Sequence, residues 1–99
     1  MKVIVSGSRD TKDADALLER VMTIAASTYH IVPTMILHGA SGNVDWAADA
    51  WAKRHGVPCQ RYWPDWSLGK RGGPARNETM ARYGEALVAL WDGQSCGGG

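Results

Sequence analysis

The sequence predicts a three-layer α/β fold with a parallel sheet of about four strands. Two observations lead there. Short β-branched or apolar runs alternate with stretches whose apolar residues recur at helical spacing, in the order β-α-β-α-β-α-β. The strand runs are apolar throughout, as strands covered by helices on both faces must be.

The first strand is Lys2-Val3-Ile4-Val5-Ser6, ended by Gly7. Leu17, Leu18, Val21, Met22 and Ala25 then mark one face of a helix, with Thr11 or Asp13 placed as its N-cap. Thr34 to His38 is a second strand, stopped by Gly39. Val44, Ala47, Ala48, Trp51 and Ala52 give a second helical stripe, and Gly56 before Pro58 ends it. Pro58 to Trp63 is a third strand, and residues 64–73 read as a loop. Pro74 opens a third helix that runs to about Tyr83. Ala86 to Trp91 is the most apolar strand of the four.

With 99 residues, 44% of them apolar and 21% charged, the chain can build one core and one domain, 1–99. No apolar run approaches the ~18 residues of a membrane span, and no leader segment is visible at Met1. Cys59 and Cys96 lie far apart, without CxxC or Cys/His spacing, so no disulfide, metal or cofactor is expected. A cytoplasmic location follows as an expectation. The net charge of +1 conceals an asymmetry: residues 53–82 hold seven basic and two acidic side chains. That stretch is either a solvated face or the side that meets an anionic partner.

In open parallel sheets, ligands bind beyond the carboxyl ends of the strands. Those ends carry Gly7-Ser8-Arg9, His38-Gly39-Ala40-Ser41-Gly42-Asn43, the 64–73 loop, and Asp92-Gly93-Gln94-Ser95. Glycine admits close backbone approach, and helix N-termini offer free N–H groups to phosphate. Neither GxGxxG nor GxxxxGK[ST] occurs, which argues against ordinary dinucleotide and P-loop sites.

Each candidate has two readings. Arg9 either charges a phosphate site or pairs with Asp10, Asp13 or Asp15. Asp45 either accepts from a sugar hydroxyl or stabilises the start of its own helix. His38, at the end of a buried strand, reads as a hydrogen-bonded core histidine. Core packing is the expected role of most of the five tryptophans. Trp66, next to a basic loop, is the candidate for stacking on a base. Arg76 and Asn77 fall in the first turn expected after Pro74, where a cation opposes the helix dipole; either an anion binds there or Arg76 pairs with an acidic neighbour.

Taken together, Gly7-Ser8-Arg9, His38-Gly39 with Asp45, Pro64-Asp65-Trp66 through Gly73-Pro74-x-Arg76-Asn77-x-x-Met80, and Trp91-Asp92-Gly93-x-Ser95-x-Gly97 resemble one family. It is the small YspA/cpYpsA-type branch of the SLOG superfamily, related to LOG phosphoribohydrolases and to the DNA-processing protein DprA. The resemblance implies a Rossmann-like domain with a pocket for a nucleotide or nucleotide-derived ligand. Its expected contacts are Gly7, Ser8, Arg9, Gly39, Ser41, Gly42, Asp45, Trp66, Arg76, Asn77, Asp92 and Ser95. Asn43 stands where the family has glycine. The usual C-terminal helix and fifth strand do not follow Gly97-Gly98-Gly99, and in LOG-type enzymes that helix supplies the catalytic glutamate. A binding role as sensor or sequestering protein is therefore expected ahead of N-glycosidic hydrolysis, in which Asp45 or Glu78 would supply the carboxylate. Single-stranded nucleic-acid binding ranks last. An uncovered sheet edge leads to the expectation of a homo-oligomer, most simply a two-fold dimer.

Overall fold

The computed structural model describes residues 1–7 and 9–90; Ser8, Trp91, Asp92 and Ser95 of the expected site region lie outside them. The elements are β1 (Lys2–Gly7), α1 (Ala14–Tyr29), β2 (Met35–His38), α2 (Asn43–Arg54), β3 (Cys59–Arg61), η1 (Trp66–Arg71), α3 (Gly72–Tyr83) and β4 (Ala86–Leu90). All strand pairs are parallel, in the order β3-β2-β1-β4. The expected α/β fold is therefore present.

Right-handed crossovers explain the layers. The first two crossovers step the same way along the sheet, so α1 and α2 share a face and pack on one another. The third steps back past β1, which puts α3 over the other face. On the first face Val3, Val5, Ile36, Val88 and Leu90 meet Leu18, Met22, Val44, Ala47, Ala48, Trp51 and Ala52 in one core cluster. The alanines of α2 let that helix approach the sheet closely. On the other face Leu37 is buried, Ile4 lies against Gly84 at the end of α3, and Leu87 is exposed.

Four local expectations need correction. Asp13 does precede α1, but it sits at φ 53° and its side chain makes no cap bond; its carbonyl accepts from Leu17 N–H at 2.9 Å instead. Thr11 is buried and is not the cap residue. β3 is shorter than Pro58–Trp63, because its ladder partner β2 ends at His38 where the chain turns into the next loop. The 64–73 segment is not a plain loop. The Asp65 carboxylate accepts from Ser67 N–H and starts a 3₁₀ stretch, kinked at Gly69 with φ 63°. α3 then begins at Gly72, two residues before Pro74. A Cβ at Gly72 would collide with the Asp65 carbonyl, so glycine is what lets this turn close.

Leu18 has no exposed surface, whereas Leu87 is 62% exposed. Leu18→Ala should cost about 2–5 kcal/mol in chemical denaturation, against at most about 0.5 kcal/mol for Leu87→Ala.

Candidate functional site

Parallel pairing sends the ends of β1, β2 and the β3–α3 connection to one edge of the sheet. There a cavity of about 250 Å³ is lined by Gly7, Arg9, Gly39, Ser41, Asp45, Trp66, Arg76 and Asn77, among others. The structure thus brings eight of the expected contact residues to one place. Gly42 stands just behind this lining, where a Cβ would lie 2.8 Å from Arg9 Cα. Asn43 N–H donates to the Arg9 carbonyl at 3.1 Å, which ties the first turn to the start of α2.

Asp45 is in the first turn of α2 and nearly buried. Its Oδ2 accepts from Ser41 N–H at 3.0 Å and from Ser41 Oγ at 3.1 Å. The carboxylate therefore serves its own helix start and also lines the cavity. Glu78 is not among the cavity-lining residues; it accepts from Arg82 on the exposed side of α3.

Because α3 starts at Gly72, Arg76 is its fifth residue rather than a member of its first turn. The expected conflict with the helix dipole is correspondingly weaker. Helical side chains lean toward the N-terminus, and Arg76 uses this to reach back into the cavity. Its Nη1 donates to the Gly39 carbonyl and its Nε to Asn77 Oδ1 at 2.7 Å. A Cβ on Gly39 would occupy the place of the guanidinium. Among the described residues neither Arg76 nor Arg9 has a carboxylate at ion-pair distance, so the expected alternative of Arg9 paired to Asp10, Asp13 or Asp15 does not occur.

The tryptophans differ from expectation. Among the described residues only Trp51 belongs to the core, stacked on His55 at 4.2 Å. Trp66 is 59% exposed at the cavity. Trp63 is 62% exposed and touches Trp46, over which Arg61 also lies, 5.6 Å from the ring centre.

Behind the cavity is a group that the motif analysis missed. Asp49, 5% exposed on α2, accepts from His38 Nε2 at 3.0 Å, Arg61 Nε and Nη2 at 2.8 and 3.0 Å, and Cys59 Sγ at 3.4 Å. Lys53 Nζ lies 3.3 Å away, one helical turn on. The bidentate bonds from Arg61 hold the Asp49 carboxyl well below the usual carboxylate range, against the opposing effect of its own burial. Burial, reinforced by Asp49, pushes the Cys59 thiol up to about 11. His38 is the expected hydrogen-bonded core histidine, and its Nδ1 accepts from Ala40 N–H at 3.1 Å. A legible signal existed in part, since strand register puts His38 opposite Arg61, and Asp49 and Lys53 are four residues apart.

His38, Asp49 and Cys59 present donor atoms within 4.8 Å of one another, so the group could be taken for a metal centre. Its chemistry argues otherwise. An amide can only donate, so Nδ1 holds no proton, Nε2 does, and that nitrogen has no lone pair for a cation. The thiol is protonated at neutral pH, and Arg61 with Lys53 already neutralises the carboxylate.

A family model described as YAcAr, the YspA, cpYpsA-related SLOG family, matches residues 1–69. That span contains the Gly7 turn, the Gly39–Asp45 loop and Trp66. No curated protein and no solved structure gives a significant match.

A depressed carboxyl pKa stabilises the fold fully above the ordinary aspartate value, 3.8, and loses that contribution as pH falls below it. Asp49→Asn should therefore cost roughly 1.5–3 kcal/mol at neutral pH and flatten the loss of stability between about pH 4 and 2. Denaturant titrations of both proteins across that range would measure it.

Proposed function

The chain belongs to the YspA, cpYpsA-related SLOG family, and we propose that it binds a nucleotide or nucleotide-derived small molecule at the carboxyl ends of its strands. One observation carries this reading: two arginines with no carboxylate partner among the described residues, a glycine-lined backbone turn and an exposed tryptophan converge on one cavity. Arg9 and Arg76 would neutralise phosphate, with Gly7, Gly39 and Ser41 supplying backbone or hydroxyl contacts. Ser8, Asp92 and Ser95 belong to the same proposal through their positions in the chain. Asp45 Oδ1 and Asn77 Nδ2 would orient a sugar, and Trp66 would stack on the base. The role is that of a sensor or sequestering protein in the cytosol, within one domain over residues 1–99.

Exposed tryptophans at 46, 63 and 66 with Arg61 nearby favour a second reading, single-stranded nucleic-acid binding, more than the sequence did. Its signature would be affinity that falls steeply with salt, with a log–log slope of about −0.7 per neutralised phosphate. Hydrolysis would need a carboxylate at the sugar, and among the described residues Asp45 is the one that lines the cavity.

A two-fold dimer belongs to the proposal as well. The outer edge of β4 has no strand partner among the described residues, and Ala86–Leu90 has no charged residue or proline to discourage pairing. Light scattering at tens of micromolar protein should give twice the mass of the chain, and a monomer would refute the dimer.

A nucleotide panel tested by thermal shift, with mass spectrometry of molecules released from the purified protein, tests the binding reading. A ligand recovered unchanged supports it, whereas free base released from AMP would assign hydrolysis. Arg76→Ala should leave the unliganded protein within about 1 kcal/mol of wild type and weaken binding roughly 10- to 150-fold. Arg76→Lys should restore only part, since an ammonium cannot reproduce the planar fork. Unchanged affinity in Arg76→Ala would refute the phosphate assignment.

A further inference from the structure

The peptide unit between Gly39 and Ala40 is bonded on both sides. Its N–H donates to His38 Nδ1, and its C=O accepts from Arg76 Nη1. A trans peptide is planar, with N–H and C=O pointing in opposite directions, so whatever fixes one fixes the other. The N–H side is held unusually well. His38 is fully buried, and its Nε2–H is anchored on Asp49, itself clamped by Arg61 and Lys53. Ala40, moreover, stands at φ 52°, in the left-handed region that a residue with a side chain enters only when its surroundings require it.

From this geometry we infer that His38, oriented by Asp49, is a positioning residue for Arg76. The order of bonding is Asp49 carboxylate, His38 imidazole, the 39–40 peptide, Arg76 guanidinium. The buried group sets the direction of the Gly39 carbonyl, and the carbonyl sets where the guanidinium sits in the cavity. Ser41 N–H, one residue on, is then presented to Asp45 at 3.0 Å. The inference deepens the phosphate reading of Arg76 and rests on it, but its geometric content exists without any ligand. In the ordinary view of a core histidine, His38 would only fill space and satisfy Asp49, and Arg76 would be indifferent to it.

His38→Asn and His38→Leu separate these views. An asparagine Oδ1 occupies nearly the place of Nδ1 and accepts from the N–H two residues on, as in an Asx turn. Leucine fills the volume and accepts nothing. Three readings are taken by NMR without ligand: the His38 tautomer in wild type, the exchange protection of the Ala40 amide, and the Arg76 Nε–H resonance. AMP affinity by calorimetry is the fourth. Wild type should show the Nε2–H tautomer. His38→Leu should expose the Ala40 amide, shift the Arg76 resonance and weaken AMP binding about tenfold, while His38→Asn keeps all three near wild type. The inference is overturned by an Nδ1–H tautomer in wild type, or by an Arg76 resonance that ignores His38→Leu. Equal disturbance by both variants would overturn it too. If His38→Leu does not fold, the wild-type tautomer and the asparagine variant still decide. If wild type does not bind AMP while the NMR pattern holds, the positioning role stands and AMP falls as the ligand.

Discussion

The central place of β1 is the constraint on which the site depends. It is paired in parallel to β2 on one side and β4 on the other, over Lys2–Ile4 and Val3–Gly7 respectively. Parallel pairing requires every connection to return over a face of the sheet, so the strands all end at the same edge. β1 is also where the crossovers change direction, which opens a crevice between the turns that follow neighbouring strands. Gly7 ends β1 at that crevice, so the first turn, the 39–43 loop and the start of α3 have nowhere to go but toward one another.

A cavity walled by loops needs something stiff behind it. In this protein the stiffness is polar. Asp49 is a carboxylate placed almost out of water, which is costly unless its oxygens are satisfied. They are satisfied from three elements at once: β2 through His38, β3 through Cys59 and Arg61, and α2 itself through Lys53. One charge therefore fastens the short edge strand β3, which has only three paired residues, to the helix and strand that flank the 39–43 loop. An apolar cluster of the same size would bury as much surface, but it would give the Gly39–Ala40 peptide no acceptor to face.

The same accounting explains the basic stretch. Of its seven cations, Lys53 and Arg61 are engaged by Asp49, Arg54 pairs with Glu19, and Arg82 pairs with Glu78. Lys70, Arg71 and Arg76, around the junction of η1 and α3, have no ion-pair partner among the described residues. The cations left without an ion-pair partner are thus gathered at that junction, and Arg76 among them lines the cavity. A field of that sign, next to backbone N–H groups at a helix start, attracts anions before any specific contact forms.

By itself the sequence determined the order of elements, the parallel sheet and the edge at which the glycine turns gather. Period and glycine punctuation are local properties, and Val3-Ile4-Val5 ended by Gly7, or Val44 to Ala52 at helical spacing, state them without reference to the rest of the chain. The family's motifs, Gly7-x-Arg9 and Gly39 to Asp45 among them, were legible for the same reason. What only the tertiary structure decided are relations between distant residues. Asp49 reads as one more polar residue on a helix until β2 and β3 bring His38 and Arg61 to it. Trp46 and Trp63 read as core residues until packing leaves them exposed. Arg76 looks misplaced at a helix start until Gly72 closes on the Asp65 carbonyl, lengthens the helix backward and lets the guanidinium reach Gly39. Each outcome depends on which surfaces meet, and that is a property of the packed chain rather than of any stretch within it.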